Sequence, residues 1–331
     1  QYQYTEKKML KVFLGKNKEG LCEVKLYFSK DFDELFEMLE NRSKEIHNHP
    51  DPILELTERE IKEFFNDKTD VVYIPAGRSM ITLLSNQMNY IYSSMDDIQK
   101  RNMDYCTRSY LEKILQMKSV FTISPVEMLN DVIAMTYIKI DEERAKESIS
   151  LMKQLLQGEY INKDGEERLQ VSKNRYVKFN YASSGQQEVV WILNVLFYYL
   201  LSGESTYFII EEPESHLFPN SQKLVMEFIA LVCNGNGNQL FLTTHSPYIL
   251  GTINNLLYAD KVSKDVDESQ LSRIISKNKW LNFDKVNAIF VQNGKIKSCL
   301  DKEFKSIENE VIDGASEQIN EDYDKMLMLK E

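Results

Sequence analysis

The chain lacks any C-x-x-C pair: its four cysteines, Cys22, Cys106, Cys233 and Cys299, are scattered over 331 residues. That excludes a zinc ribbon and leads to the expectation of a reducing, cytoplasmic compartment. It also lacks an apolar run near the roughly 18 to 20 residues that span a bilayer. The longest candidate, Val189–Leu201, has 13 residues with Asn194 among them, and reads as a buried helix. Positive charge is in short supply, with 40 Lys and Arg against 51 Asp and Glu, a net charge of −11. That argues against coating nucleic acid through global charge, while leaving room for a local basic groove. There is no signal peptide, internal repeat or low-complexity linker. There is no initiator methionine either, since the sequence opens at Gln1, which leads to the expectation of a fragment or of joined segments.

What is present reads as soluble and globular, with 43% apolar and 27% charged residues. Met9–Ser29 predicts two strands around a turn at Lys16–Gly20. Helical patterns start near Asp31 and at Thr57, where Thr57 and Glu60 fit a capping box. Val71–Ser79 (VVYIPAGRS) is a short apolar strand stopped by Pro75 and Gly77. Met80 to about Gln157 holds one proline and no glycine, a helical block that breaks near Pro125. Gly158 and Gly165 bracket a return to strand pattern in RLQV and RYVKF.

From Ala182 the alternation becomes regular. Helix Gly185–Leu201, strand TYFII, helix Asn220–Val232, strand Gln239–Thr244 and helix Tyr248–Leu256 follow in order. Strands alternating with helices predict a parallel sheet with crossover helices. After about Asp284, VNAIFVQNGKIKSCL predicts a hairpin on Asn293-Gly294. The stretch Glu303–Glu331 predicts an acidic helix. The expected organisation is an N-terminal lobe over 1–79, a helical insertion over 80–157, a second lobe over 158–300 and a tail over 301–331.

Ligands of open α/β sheets sit beyond the carboxyl ends of the strands. Two polar clusters fall there: Glu211-Glu212 after one strand and His245-Ser246 after the next. Two adjacent carboxylates can divide labour, one serving a magnesium ion and the other an attacking water, with a histidine one strand over reaching a transferring phosphate. The turn SSGQQ opens a helix, whose N-terminus offers N–H groups and a positive dipole end to an anion. Each part has a plainer reading: S-x-G-Q as a helix cap, the glutamates as the solvated start of a loop, His245 as a structural histidine. Order and spacing favour the site, because Ser183 precedes Glu212 by 29 positions and Glu212 precedes His245 by 33.

These segments resemble a known family. ASSGQQ is similar to the signature motif of ABC-type ATPases, FIIEEPESHLFP to their Walker B strand with catalytic glutamate, and LTTHSP to their switch histidine. The wording E-E-P-E-x-H-L-x-P resembles the SMC/RecF/OLD branch, and within it the bacterial anti-phage defence ATPases of the Septu and retron type. The core motifs span Ala182–Pro247. The resemblance implies an α/β, ABC-ATPase-like head with a mixed or parallel sheet and a helical insertion, using ATP and Mg²⁺. It implies that Ser183 and Gly185, with Ser184 and Gln186 beside them, contact ATP bound to the opposite subunit. Glu211 would help hold Mg²⁺, Glu212 would polarise the hydrolytic water, and His245 would stabilise the γ-phosphate. It further implies a homodimer or higher oligomer of heads that closes on ATP, and a separate effector protein, nuclease or toxin, without a membrane.

The sequence departs from the pattern in three places. The first Walker B acid is Glu211 where Asp is usual. His216-Leu217-Phe218 stand where a D-loop aspartate is usual. None of the twelve glycines fits the phosphate loop G-x-x-x-x-G-K-[ST], so that loop is expected in a segment upstream of Gln1. A nucleotide-gated scaffold that holds an effector and hydrolyses little is the alternative function.

Other polar groups read less sharply. His47, His49 and Asp51 have incidental rather than metal-site spacing. Asp265 and Asp267 lie in a polar loop rather than at the end of a nuclease strand. Arg78 reads as a phosphate or partner contact, or as an ordinary surface arginine. Lys173–Lys178 reads as an exposed strand face with room for a nucleic-acid contact. The Met and Tyr of Met80–Tyr110 read as packing surface.

Overall fold

The computed structural model describes residues 2–3, 9–16, 22–45, 59–65, 67, 69–78, 90, 94–96, 104–135, 139–308 and 310–328. The expected capping box at Thr57, the His47–Asp51 segment and the turn residues after Lys16 lie outside them. The chain divides into two compact units, Gln1–Thr69 and Asp70–Glu331.

In the first unit, β1 (Tyr2–Gln3), β2 (Met9–Lys16) and β3 (Cys22–Phe28) form an antiparallel sheet in that order, with Leu10 opposite Phe28 and Lys16 opposite Cys22. Helix α1 (Lys30–Glu45) follows, with Asp31 and Asp33 in its first turn, where negative charge complements the helix dipole. Phe32 is buried and packs against Phe28, Phe36, Phe64 and Phe65, with ring centroids 5.1–6.2 Å apart. Among the described residues of this unit, that aromatic cluster and the buried Leu35 form the core.

The second unit begins with β4 (Asp70–Ile74). Helices α2 (Tyr105–Val120), α3 (Pro125–Ala134) and α4 (Glu142–Leu156) follow. The expected break near Pro125 is there. Ser124 and Glu127 form a capping box and Pro125 takes the first helical position, where its missing N–H costs nothing. Strands β5 (Glu159–Lys163), β6 (Glu166–Ser172) and β7 (Arg175–Lys178) make an antiparallel meander. In β7 every residue is exposed, and Arg168 lies over the Tyr176 ring. The basic groups there are partly answered, since Arg168 and Lys178 both pair with Glu166.

Helix α5 (Ser184–Ser202) is the centre of this unit. Fifteen of its nineteen residues are buried, Gln187, Glu188 and Asn194 among them, so the helix is enclosed on all sides in the protein core. It stops at Gly203, whose φ of 73° is a left-handed cap that glycine adopts without strain. Strand β8 (Thr206–Glu211) comes next, then α6 (Pro219–Cys233), β9 (Gln239–Thr243), α7 (Pro247–Val262) and α8 (Glu268–Ile274). Strand β8 lies between β4 and β9 and is parallel to both, with Ile74 opposite Ile210 and Glu211 opposite Thr243. Its side chains alternate as a pleat demands: Thr206, Phe208 and Ile210 are buried. The predicted parallel sheet and mixed α/β class are therefore observed.

The C-terminal part holds β10 (Ile289–Gln292), β11 (Lys295–Ser298), β12 (Leu300–Asp301), β13 (Ser306–Ile307) and helix α9 (Glu310–Met328). The β10–β11 hairpin turns on Asn293 and Gly294, both with positive φ, as a type I′ turn requires. Two expected boundaries shift. Helix α7 runs six residues past Leu256, to Val262. Residues 303–307 are turn and strand, and the acidic helix begins only at Glu310.

Asn194, in the middle of α5, is fully buried, and among the described residues neither atom of its amide has a hydrogen-bond partner. A buried polar group left unpaired costs about 1–3 kcal/mol by mutational measures. Asn194→Leu, similar in volume, is therefore expected to raise stability by about that amount, read from chemical denaturation.

Candidate active site

Because β4, β8 and β9 are parallel, their carboxyl ends emerge along one edge, and each is followed by a polar segment: Pro75–Arg78, Glu211–His216 and Thr244–Ser246. Arg78 is wholly buried. Its backbone N–H donates to Glu188 Oε2 (3.0 Å) and its Nε lies 3.3 Å from the same oxygen, while its two terminal nitrogens donate to the carbonyls of Glu211 (2.6 Å) and Glu212 (2.9 Å). Both earlier readings of Arg78, as a phosphate or partner contact and as a surface arginine, are corrected by this burial. A planar guanidinium with five donors can meet a carboxylate and several carbonyls at once, which a lysine cannot. Glu188 was missed from the sequence; the signal was a charge at the start of the otherwise apolar run EVVWIL.

The clamp holds the point where β8 stops being a strand. Glu212 has a φ of 41° and His216 a φ of 59°, left-handed values that non-glycine residues adopt only under constraint. The two adjacent carboxylates consequently part company. Glu211 faces β4: its Oε2 accepts from Ala76 N (3.2 Å), and the Tyr73 hydroxyl bonds its carboxylate. Burial first, and then this contact with Glu211, push the Tyr73 hydroxyl up to about 12, so it stays protonated and donating. Glu212 faces β9: its N–H donates to Thr243 O (2.9 Å), and its Oε1 lies 3.7 Å from His245 Nε2. Ser215 Oγ donates to its other oxygen (3.3 Å).

His245 and Glu212 are thus brought together, whereas Glu211 is aimed elsewhere. The imidazole is 88% exposed and the Glu212 carboxylate 40%, so the pair stands open at the edge. Glu214, a second residue missed from the sequence, ties the two loops: its Oε1 accepts from Thr244 Oγ1 (2.7 Å) and from His245 N (2.8 Å). Ser246 donates from its hydroxyl to Gln222 and caps α7, and Gln222 Nε2 donates to Leu217 O (2.8 Å).

The turn Ser183–Gln186 is a capping box, as the plainer reading of S-x-G-Q anticipates. Ser183 Oγ accepts from Gln186 N, and Gln186 Oε1 accepts from Ser183 N (2.9 Å). Gln186 Nε2 donates to Leu156 O (2.7 Å), so both the oxygen and the nitrogen of its carboxamide help hold the turn. The N–H groups of Ser184 and Gly185 precede the first bond of the helix, Gln187 N to Ser183 O, and point out from its end. Gly185 is required by close approach, since a Cβ there would lie 2.8 Å from the carbonyl oxygen of His216. The cap of α5 therefore packs directly on the loop that carries Glu212.

Among the described residues no three His, Cys, Asp or Glu side chains form a ready metal cage. One strand-end carboxylate without a cage suits Mg²⁺, which keeps its waters and takes the rest of its ligands from phosphate.

Residues 2–250 match the family described as AAA ATPase domain. The chain belongs to that family. Membership fits the mixed α/β fold with its parallel sheet and supports ATP binding. A search of curated proteins finds no match. No helix among the described residues of this AAA ATPase domain is long and apolar enough to cross a membrane.

Proposed function

We propose that this chain is an ATP-hydrolysing head of the SMC/RecF/OLD type, which closes as a dimer on ATP and controls a partner effector in bacterial anti-phage defence or DNA maintenance. The observation that carries the reading is the Glu212–His245 pair, 3.7 Å apart at the carboxyl edge of a parallel sheet in an AAA ATPase domain. In it, Glu212 takes hydrogen bonds from the attacking water and turns its lone pair toward the γ-phosphorus. His245 donates to the γ-phosphate oxygens as charge grows on them. Glu211 is the residue that would hold Mg²⁺, whose chemistry is to neutralise charge on the β- and γ-phosphates.

Openness supports the dimer. An imidazole as exposed as His245 is screened by water, and its effect on phosphate charge grows when a second surface excludes that water. The cap of α5, with the N–H groups of Ser184 and Gly185 and the hydroxyl of Ser183, would be presented by the opposite copy. No G-x-x-x-x-G-K-[ST] phosphate loop lies within the 331 residues, a gap in the cradle. The same gap favours the second reading, a nucleotide-gated scaffold with little turnover.

Thermal melting of the complete gene product tests nucleotide binding. Mg²⁺-ATP at 100 times its Kd is expected to stabilise the wild type by about 2.7 kcal/mol. Glu211→Ala is expected to need more Mg²⁺ for the same shift. An ATP concentration series with no shift would contradict both readings.

A further inference from the structure

We propose that Glu214 is the positioning residue of His245, holding the imidazole at its place beside Glu212. The inference rests on the reading of His245 given above. Its ground is a contact that spans two loops: one carboxylate oxygen of Glu214 accepts both the Thr244 hydroxyl (2.7 Å) and the backbone N–H of His245 (2.8 Å). Bonds to an ionised acceptor are shorter and about twice as strong as neutral ones.

The consequence is directional. His245 follows the last residue of β9 by two positions, and nothing about a strand end fixes how the chain leaves it. Here the exit is tied down from the neighbouring loop. Glu214 fixes the Thr244 hydroxyl, which in turn accepts from Ser246 N (3.0 Å) and so sets the first residue before α7. The N–H of His245 is held by the same oxygen, so the backbone that carries the imidazole is fixed on both sides of its Cα. Glu214 itself sits two residues after Glu212, on the loop that Arg78 clamps. The spacing between the water-polarising carboxylate and the imidazole is thereby set within one hydrogen-bonded frame, although the imidazole itself is almost fully exposed.

The second oxygen of Glu214 has a different environment. Oε2 is buried and, among the described residues, has no hydrogen-bond partner. A carboxylate retained with one oxygen unanswered is an expensive choice for simple loop packing, which an apolar side chain would do at lower cost. What the carboxylate does that an apolar group cannot is accept two donors at one point, and both donors belong to the His245 turn.

The test is a double-mutant cycle in the complete protein, with phosphate release and ATP affinity measured for Glu214→Ala, His245→Ala and the pair. His245→Ala is expected to lower kcat by about 10²- to 10³-fold, as loss of an aligned charge-stabilising donor does. Glu214→Ala is expected to lower kcat comparably with ATP affinity unchanged, and the double variant to be no slower than His245→Ala alone. Glu214→Gln, whose amide oxygen still accepts both donors, is expected to restore most of the rate. Losses that multiply in the double variant would overturn the proposal. Amide hydrogen exchange at His245 supplies a readout that does not depend on catalysis: it is expected to speed up about tenfold or more in Glu214→Ala and not in Glu214→Gln. Unchanged exchange in Glu214→Ala would overturn the positioning role. A His245→Ala variant with wild-type turnover would instead remove the catalytic reading of His245, leaving exchange to decide the positioning claim. Thr244→Val, which removes one of the two donors, serves if Glu214→Ala does not fold.

Discussion

Glu212→Gln is expected to lower ATP turnover by about 10²- to 10⁴-fold, the range that a positioned general base supplies. The substitution keeps shape and volume. The glutamine oxygen can still accept from Ser215 Oγ, and the backbone bond from residue 212 to Thr243 O is untouched. What is lost is the negative charge and the capacity to take a proton from water. Stability is expected to stay within about 0.5 kcal/mol of wild type, because the side chain is partly exposed and away from the core. ATP should still bind, so the variant is expected to accumulate the nucleotide-bound state. Parallel melting curves and phosphate-release assays check both halves. A loss of turnover accompanied by a large loss of stability would place Glu212 in the scaffold rather than in the chemistry.

Arg78→Leu is expected to destabilise the second unit by about 3–5 kcal/mol, the cost of leaving a buried charge without its partner. Glu188 has a carboxylate that is 1% exposed, and the carbonyls of Glu211 and Glu212 would lose their donors as well. For a unit of this size that corresponds to a fall in Tm of roughly 6–20 °C. The double variant Arg78→Leu/Glu188→Leu separates two roles of the arginine. Removing both charges is expected to restore much of the stability, since apolar pairs often replace buried ion pairs without loss. Turnover is expected to remain low in the double variant, because nothing then holds the backbone at the left-handed Glu212. Recovery of turnover together with stability would show that the clamp matters only for folding.

These two residues also mark how far sequence reaches. The parallel sheet was legible because β8 and β9 are short apolar runs set between helical patterns, and local periodicity carries that information. Glu211, Glu212 and His245 were legible because polar residues at strand ends stand out against such runs. Arg78 was not, because its meaning depends on Glu188, 110 positions away, and on two backbone carbonyls that carry no sequence label. Glu214 was hidden for the same reason: it is one more acid in a loop until the fold delivers Thr244 and His245 to it. Ser183 shows the reverse case, where the local reading of a capping box was sufficient for its hydrogen bonds. The tail boundary shifted because residues 306–307 pair with β12, Leu300 opposite Ile307, and the Asn254 side chain bonds both the N–H (2.7 Å) and the carbonyl (2.8 Å) of Ile307. No local pattern in residues 303–307 announces such a partner.

The central claim is that the edge carrying Glu212 and His245 hydrolyses ATP. Its most direct test is phosphate release from Mg²⁺-ATP by the complete protein, wild type and Glu212→Gln side by side, with bound ATP quantified in the same samples. The account predicts saturable release by the wild type, and an ATP-loaded variant slower by about 10² or more. Equal release by the two proteins, or ATP bound by a folded wild type that never releases phosphate, would contradict it.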